Sequence, residues 1–300
     1  MADVELRELR YFRAVATEGS LSRAAATLGM AQPPLSRAIS QLERRLGVRL
    51  LDRDNRGVSP TPAGETLLAE TARVLDAVSA AVHRTRRAAR ANPTLVVTAK
   101  PGVASTVLPR AVDAYRALPA AGEVEILVSG YGEQADLVRA GEVDLALIGS
   151  PLHGAGLDVE PLVGEPRVAA LPAGHALADG RALTVADLHR EPMPQWTDST
   201  PEEVTYWSGR DTVPSSAPLT GPPIRDSAQL VEVVALGQAV ALVPESLARA
   251  NQRPDIVYRP VRDASPYVVG VAWLAGSRDR RVADFVRAAS TLADPLAETA

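Results

Sequence analysis

The sequence predicts an α/β protein with a small helical N-terminal domain, a long linking helix and a larger domain of two α/β lobes. Three observations lead to this expectation. The 300 residues exceed the usual size of a single domain. Apolar residues recur at helical steps near the start of the chain. From Leu95 onward, β-rich runs alternate with helical patterns.

The composition excludes several classes of protein. Hydrophobic residues make up 46% of the chain and charged residues 23%, which is ordinary for a globular protein. Because there is no cysteine, disulfides, thiolate metal sites and cysteine redox sensors are excluded. No basic-then-apolar leader opens the sequence, and no run approaches the roughly 18 apolar residues of a membrane span. We therefore expect a cytoplasmic protein with no membrane partner.

Charge is divided unevenly along the chain. Residues 1–90 carry 15 Arg against 10 Asp and Glu, a net charge of +5, whereas the remainder carries −9. This asymmetry suits a polyanion-binding head on a body that does not bind polyanions. A distribution that serves only solubility is the alternative.

Two helices are predicted first. An amphipathic helix has apolar residues at three- and four-residue steps, at Leu6, Leu9, Phe12, Val15 and Ala16. Gly19-Ser20 ends this helix and offers a cap for the next, a short helix from about Ser22 to Leu28. Gly29-Met30-Ala31 then makes a tight turn.

The third helix opens with Pro33-Pro34, which a first helical turn tolerates because its N–H groups have no partner there. Its apolar stripe is Leu35, Ile39, Leu42 and Leu46, and Gly47 closes it. The polar residues left on the open faces are Gln32, Ser36, Arg37, Ser40, Gln41 and Arg44. Such a helix can place side chains against base edges in a DNA major groove. A solvated face of a three-helix domain is the alternative.

A hairpin and a long helix follow. "VRLLDRDNRGVSPTPAG" has short extended pieces around an Asp-Asn-Arg-Gly turn, which predicts a small wing. Thr61-Pro62 begins the long helix. Within it, Leu68, Leu75 and Val82 are seven residues apart, so a short coiled-coil seam between two copies is one interpretation. A helix lying on its own domain is the other.

The body of the chain alternates strands and helices. This pattern predicts βαβ units, a mainly parallel sheet and two lobes, the second inserted within the first. A ligand cleft is expected between the lobes, at the carboxyl ends of the strands.

The residues also carry a family resemblance. "LRYFRAVATEGSLSRAAATLGMAQPPLSRAISQLERRLGVRLLDRDNRGVSPTPAGETLL" resembles the DNA-binding region of LysR-type transcriptional regulators. In the body, "LVVTAKPGVASTVLPRAVDAY", "LVRAGEVDLALIG", "VAALPAGHALA" and "LVEVVALGQAVALVPESLA" resemble that family's effector domain in order and spacing. The resemblance covers nearly the whole chain.

The resemblance implies a domain organisation. A winged helix-turn-helix would occupy residues 1–60, a dimerising linker helix 61–92, and a periplasmic-binding-protein-like effector domain 93–300. Lobe I would span about 93–162 and 267–300, and lobe II about 163–266. The implied partners are double-stranded promoter DNA, a small-molecule effector, further copies of the chain in a homodimer or homotetramer, and RNA polymerase.

Under this resemblance, the expected DNA contacts are of two kinds. Gln32 can pair with adenine and Arg37 with guanine, whereas Arg44, Arg53 and Arg56 more plausibly meet phosphates. The full expected set is Ser22, Arg23, Gln32, Pro33, Ser36, Arg37, Ser40, Gln41, Arg44, Arg53 and Arg56.

Lys100 is the only lysine among 32 basic residues. It follows the first strand of the body and precedes a helix that begins near Ser105. Its ammonium and that helix's free N–H groups could converge on an anion, so a carboxylate effector is the hypothesis. A surface lysine is the alternative. The expected effector-binding residues are Lys100, Ser105, Thr106, Ser129, Gln195, Trp196 and Asp226.

Two residues depart from the family pattern. Ala31 stands where a Ser or Thr commonly caps the recognition helix, a loss that typically costs about 0.5–2 kcal/mol. Lys100 stands where a small or hydroxyl residue is usual.

Rival classes of function have weaker support. "GYGEQA" from Gly130 imitates a dinucleotide-binding turn, but the next strand does not end in the acidic residue that would hold a ribose, so no cofactor is expected. The four histidines are scattered, and no catalytic set stands out, so neither a metal site nor an enzyme is expected. Two alternatives remain: a cytoplasmic solute-binding or sensor protein with the same two-lobed body, and an enzyme that works in the interlobe cleft.

Overall fold

The structure is a computed structural model that describes residues 4–54, 57–89, 94–152, 154–179, 182–197 and 199–293. The chain folds as two compact units that divide between Arg86 and Arg87. The elements that begin in the first unit are α1 (Leu6–Glu18), α2 (Leu21–Thr27), α3 (Gln32–Leu46), β1 (Leu51–Asp54), β2 (Gly57–Pro60) and α4 (Pro62–Ala88).

The first unit is the winged helix-turn-helix that the sequence predicts. Phe12, Val15, Leu35, Ile39 and Leu42 are all buried in one apolar core, as the helical spacing of the sequence predicts. Leu6 departs from this pattern: it lies at the start of α1 and is 38% exposed. Helix α2 begins one residue earlier than predicted, because the Ser20 hydroxyl accepts a hydrogen bond from the backbone N–H of Arg23.

Two carboxylates hold the third helix in place. Glu8 of α1, almost fully buried, accepts from the guanidinium of Arg45 at 2.8 and 3.0 Å. Glu43 accepts from the backbone N–H groups of Leu50 and Leu51 at 2.9 and 3.2 Å, which fixes the chain as it enters the wing. Both acids therefore stabilise the fold of this unit. Neither of these contacts involves the outward side of α3.

The wing is a tight antiparallel hairpin that is hydrogen-bonded to the residue at the end of α1. Strands β1 and β2 pair from Leu51↔Pro60 to Asp54↔Gly57. The Val58 N–H donates to the Gly19 carbonyl at 3.0 Å. A Cβ at Gly57 would lie 2.8 Å from that same oxygen, so this contact requires glycine.

Helix α4 begins where Thr61 accepts a hydrogen bond from the Gly64 N–H at 3.1 Å. Along the proposed coiled-coil seam, Leu75 is buried within the single chain, whereas Val82 is 43% exposed. A seam between two copies stays a prediction. None of the helices in the described part of the chain combines the length and apolar character that crossing a bilayer would require.

The uncapped start of α3 gives a test of stability. Ala31 has extended backbone angles suited to a cap, but no side-chain hydrogen bond reaches the first turn. Ala31→Ser should therefore raise the free energy of unfolding by about 0.5–2 kcal/mol, measured by urea denaturation. Ala31→Val is the control and should give no gain, since valine has no cap acceptor. Equal stability of the Ser and Val variants would contradict this account.

The second unit contains the remaining strands and helices. The strands are β3 (Leu95–Ala99), β4 (Val124–Val128), β5 (Leu145–Gly149), β6 (Leu157–Glu165), β7 (Arg167–Pro172), β8 (Gln195–Trp196), β9 (Pro223–Ile224), β10 (Ala241–Pro244), β11 (Ile256–Pro260) and β12 (Tyr267–Leu274). The helices are α5 (Val103–Arg116), α6 (Gln134–Arg139), α7 (Val185–Leu188), α8 (Pro201–Trp207), α9 (Ser227–Ala235), α10 (Glu245–Ala250) and α11 (Arg280–Ala289).

These elements form two lobes around separate sheets. The sheet of lobe I has the strand order β4-β3-β5-β12-β6, and that of lobe II the order β10-β7-β11. The prediction of a mainly parallel sheet is wrong: only β4, β3 and β5 run parallel, and every other pairing in the two sheets is antiparallel. The reason is topological. The chain leaves lobe I along β6 and returns along β12, and these two strands pair directly, from Tyr267↔Glu165 onward.

One buried arginine joins the two crossings between the lobes. Arg167, fully buried at the start of β7, donates to the carbonyls of Ser265 and Tyr206 at 2.6 Å each. It also donates to the Ser265 hydroxyl and to the Asp211 carboxylate, and its guanidinium lies 3.9 Å from the ring centre of Tyr206. A single side chain thus ties β7, α8 and the return segment together.

Replacing this arginine should be costly. Arg167→Leu removes the guanidinium that donates to Asp211 and to the carbonyls of Ser265 and Tyr206, and should lower the free energy of unfolding by about 3–5 kcal/mol. Arg167→Lys should also destabilise, since three donors on one nitrogen cannot reach acceptors arranged around a planar guanidinium. Arg278→Leu, at an exposed position, is the control and should change stability by no more than about 0.5 kcal/mol. Thermal and urea unfolding would measure all three, and a stable Arg167→Leu protein would contradict the assignment.

Candidate nucleic-acid interface and ligand cavity

The outward side of α3 presents two rows of side chains at four-residue steps. Residues four apart lie on one face of a helix, roughly 6 Å along its axis. One row holds Gln32, Ser36, Ser40 and Arg44; the other holds Pro33, Arg37 and Gln41. All are exposed except Ser36 and Ser40, which are half-buried beneath their neighbours.

Within the described chain, the long polar side chains of these rows make no contacts that stabilise the fold. Gln32, Arg37, Gln41 and Arg44 make no hydrogen bond or ion pair with any residue that the structure describes. Arg45, by contrast, is bound to Glu8. The fold therefore separates a structural arginine from arginines that are available to a partner.

The other expected DNA contacts surround this face. Ser22 is exposed on α2. Arg23 is exposed but folds back, donating to the carbonyl of Glu18 and lying 3.8 Å from its carboxylate. Arg53 on the wing reaches across to the Ser36 hydroxyl at 3.4 Å, which links the wing to α3. Arg56 lies outside the described residues.

A cavity of about 350 Å³ lies between the two lobes of the second unit. It opens where β3 and β4 end, so it occupies the place expected for a ligand cleft. Its lining includes Lys100, Ser105, Thr106, Tyr131, Glu165, Trp196, Trp207, Asp226, Ser246 and Tyr267. A second cavity of about 790 Å³ shares Lys100, Gly130, Tyr131 and Asp226 with the first.

Aromatic rings form one wall of this cavity. Tyr131 of lobe I stacks on Trp196 of lobe II, with ring centres 4.1 Å apart and planes 10° from parallel. The indole N–H of Trp207 donates to the Tyr131 hydroxyl at 2.8 Å, and the Trp207 ring lies 6.0 Å from that of Tyr267. The two lobes therefore meet through ring contacts that also border the cavity.

The ammonium of Lys100 faces these rings. Its Nζ lies 4.5 Å from the ring centre of Tyr131, 5.6 Å from that of Tyr267 and 5.8 Å from that of Trp207. It makes no hydrogen bond or ion pair with the described residues. Burial lowers the pKa of this amine from 10.5 to about 8, and the nearby charge of Glu203 partly opposes that shift.

The carboxylates near Lys100 each accept hydrogen bonds from other groups of the protein. Glu165 accepts from the backbone N–H and the hydroxyl of Ser246 at 2.6 Å each, and burial raises the pKa of this carboxyl. Asp226 caps α9 by accepting from the Gln229 N–H at 2.8 Å. Glu203 accepts from the Thr200 N–H at 2.9 Å. The acids thus have local donors, whereas the ammonium has no anionic partner in contact.

Two of the expected effector residues do not line either cavity. Ser129 is buried beneath the surface, where its hydroxyl accepts from Thr98 at 2.9 Å and from Gln134 at 2.7 Å. The Gln195 amide turns away and donates to the carbonyls of Leu219 and Gly221. Residues close to them in sequence line the cavity instead. These are Tyr131, two residues after Ser129, and Trp196, which follows Gln195. The structure brings together the other five: Lys100, Ser105, Thr106, Trp196 and Asp226.

Sequence reasoning missed Tyr131, Glu165, Trp207 and Tyr267 as individual cavity residues. Tyr131 and Trp207 lie near expected residues in the sequence, since Tyr131 follows Ser129 by two residues and Trp207 follows Trp196 by eleven. Glu165 and Tyr267 had no local signal, because each is an ordinary strand residue that reaches the cavity only through the pairing of β6 with β12.

These two parts define the chain as a DNA-binding regulator with a ligand-binding domain. The family model "Bacterial regulatory helix-turn-helix protein, lysR family" matches residues 6–65, and "LysR substrate binding domain" matches residues 88–293. The chain belongs to the LysR family of transcriptional regulators and is therefore not an enzyme.

Several relatives resemble the chain along almost its full length. It is 30% identical over 288 residues to the Hca operon transcriptional activator HcaR of Escherichia coli (strain K12), covering 94% of this chain and 96% of that protein. It is 32% identical over 295 residues to the HTH-type transcriptional regulator BudR of Raoultella terrigena, covering 94% and 99%. The solved structure of full-length BenM matches 96% of each chain with a TM-score of 0.55 and 25% identity.

Proposed function

We propose that this regulator reads a specific operator sequence with helix α3 and responds to a carboxylate effector held by Lys100 in the interlobe cavity. One observation carries the effector part of the proposal. An ammonium without an anionic partner in contact faces a cavity whose acids already have local donors. The proposal that α3 reads an operator rests on its exposed polar side chains, which make no hydrogen bond or ion pair with the described residues.

Helix α3 has the features that base recognition requires. Its apolar stripe and the Glu8–Arg45 pair hold it to the domain, so Gln32 and Arg37 project from a fixed support. Arginine can donate two hydrogen bonds to guanine and glutamine can pair with adenine, each such pair discriminating by about 1–3 kcal/mol. Arg44 and Arg53 are placed to meet phosphates, which strengthens binding without selecting sequence.

DNA binding should depend on Arg37 and on salt. With DNA from upstream of the gene, fluorescence anisotropy should show specific binding that weakens steeply as salt rises. Arg37→Ala should weaken specific binding by about 1–3 kcal/mol and reduce discrimination against scrambled DNA, without loss of stability.

Arg13→Ala is the matched control, because Arg13 is exposed on α1 and loses the same charge. Its specific affinity should stay near that of the wild type. If Arg13→Ala and Arg37→Ala weaken binding equally, only net charge matters, and the assignment of α3 to base recognition fails.

The effector is proposed to be a carboxylate because of what surrounds Lys100. Helix α5 begins three residues after it, and backbone N–H groups at a helix start favour an anion. The hydroxyls of Ser105 and Thr106 each donate to the Gly102 carbonyl, which holds them at this edge of the cavity. Ring walls would accept an apolar body, and the cavity volume falls within the range of small-ligand sites.

Calorimetry can test this with matched ligands. Aromatic and aliphatic carboxylic acids should bind, whereas their uncharged amides should not. Lys100→Ala should weaken binding of the acids by about 10- to 150-fold, the loss of one charge-assisted hydrogen bond. Lys100→Arg keeps the cation and should retain part of the affinity. Equal binding of acids and amides, or unchanged affinity in Lys100→Ala, would contradict the proposal.

We further propose that the regulator acts in the cytoplasm as a homodimer or homotetramer that meets RNA polymerase at promoters. Two copies of α3 would suit the halves of a pseudo-palindromic operator. The exposed Val74 and Val82 of α4 support helix pairing between copies, since apolar side chains on a 27-residue helix favour a partner.

A further inference from the structure

We propose that Lys100 is a covalent capture site, whose ε-amine condenses reversibly with the keto group of a 2-oxo carboxylic acid to form an imine in the interlobe cavity. The inference deepens the proposed function, on which it rests for the ligand's carboxylate. It adds a chemical class of effector and a mode of binding.

The surroundings of Lys100 favour an amine that can react. Nζ is bordered by the rings of Tyr131, Trp207 and Tyr267 rather than by carboxylates in contact. Lysines desolvated in apolar pockets are the ones that form Schiff bases, because the neutral amine is the nucleophile. Rings at these distances also leave the cavity side of the amine open to a ligand.

Titratable groups from several elements lie near the amine, and Glu133, Asp136, Arg139 and Arg225 line the second cavity with it. Burial raises the pKa values of Tyr131 and Tyr267 well above 10, so both phenols stay neutral and offer no counter-charge. Glu165 and Asp226 line the same cavity but accept hydrogen bonds from Ser246 and from the start of α9. Glu203 favours the ammonium from a distance. With its pKa lowered to about 8, a substantial fraction of Lys100 is neutral near pH 8.

The bond-forming step needs no co-reactant. The amine nitrogen attacks the carbonyl carbon, and one of its protons moves to the carbonyl oxygen to give a carbinolamine. Loss of water then leaves a C=N bond to the ligand. Nothing is oxidised or reduced, and addition of water reverses the step and restores the free lysine.

The ligand class follows from combining three features of the cavity. The amine can form an imine only with a ligand that has an aldehyde or keto carbon. A carboxylate next to that carbon would lie beside the protonated imine and balance its charge in a buried place. The ring wall of Tyr131, Trp196 and Trp207 favours an apolar or aromatic body on the third substituent. A 2-oxo acid with an aromatic side chain satisfies all three.

Phenylpyruvate and phenyllactate form a matched pair for the test. They share the carboxylate and the ring, but only phenylpyruvate has a keto group. Each is incubated with the full-length protein and cyanoborohydride, which converts an imine to a stable secondary amine, and the product is located by peptide mass mapping. Because Lys100 is the only lysine, the N-terminal amine is the only other primary amine to separate.

We expect phenylpyruvate, but not phenyllactate, to add once at Lys100, at a rate that rises as pH approaches 8. An ordinary exposed lysine would need a pH near about 10.4. Lys100→Arg should abolish this adduct, because a guanidinium forms no imine, while retaining part of the affinity for phenyllactate in calorimetry. That retained affinity shows that the variant is folded.

The possible failures can be distinguished. If both acids bind at the cavity and no adduct appears at Lys100, the covalent inference is wrong while the carboxylate proposal stands. If labelling occurs only at the N-terminal amine, the covalent inference is also wrong. If neither acid binds the wild-type protein, this ligand class is wrong, and the result with acids and amides decides the carboxylate proposal separately.

Discussion

The ligand cavity depends on one buried cation, the guanidinium of Arg167. A buried charge needs acceptors for all its donors, and here they come from α8, from Asp211 in the loop after α8, and from the segment that returns to lobe I. Its bond to the Tyr206 carbonyl fixes the end of α8, and therefore the next residue, Trp207. Trp207 in turn donates to Tyr131, whose ring contacts both Trp196 and the ammonium of Lys100. The lobes are thus joined by the hydrogen bonds of Arg167 and, next to them, by ring contacts that border the cavity.

The division of labour among charged residues is the same in both units. Buried or half-buried charges with local partners, such as Glu8 with Arg45 and Glu165 with Ser246, hold the fold. Charges without such partners among the described residues, Arg37 on α3 and Lys100 in the cavity, are available to ligands. In the proposed function, Arg37 interacts with DNA and Lys100 with the effector.

Periodicity and glycine placement were enough to predict the N-terminal unit, since its helices bury stripes that the sequence shows directly, such as Leu35, Ile39 and Leu42. The two lobes were also predictable from alternating strands and helices. Strand direction was not, because the antiparallel pairing of β6 with β12 joins residues about a hundred positions apart. The same long-range pairing brings Glu165 and Tyr267 to the cavity. Ser129 shows the converse: its position was near the site, but its hydroxyl was already committed to Thr98 and Gln134.

In the proposed function, ligand binding in the cavity controls DNA binding, and reciprocity between the two binding sites tests this coupling most directly. The carboxylic acid that binds tightest would be titrated calorimetrically into the free protein and into the protein saturated with its operator. If the two sites are coupled, the Kd of the acid must differ between the two titrations, by the same factor with which the acid changes operator affinity. We expect such a difference, about 5- to 150-fold for typical coupling. An identical Kd with and without operator would contradict it.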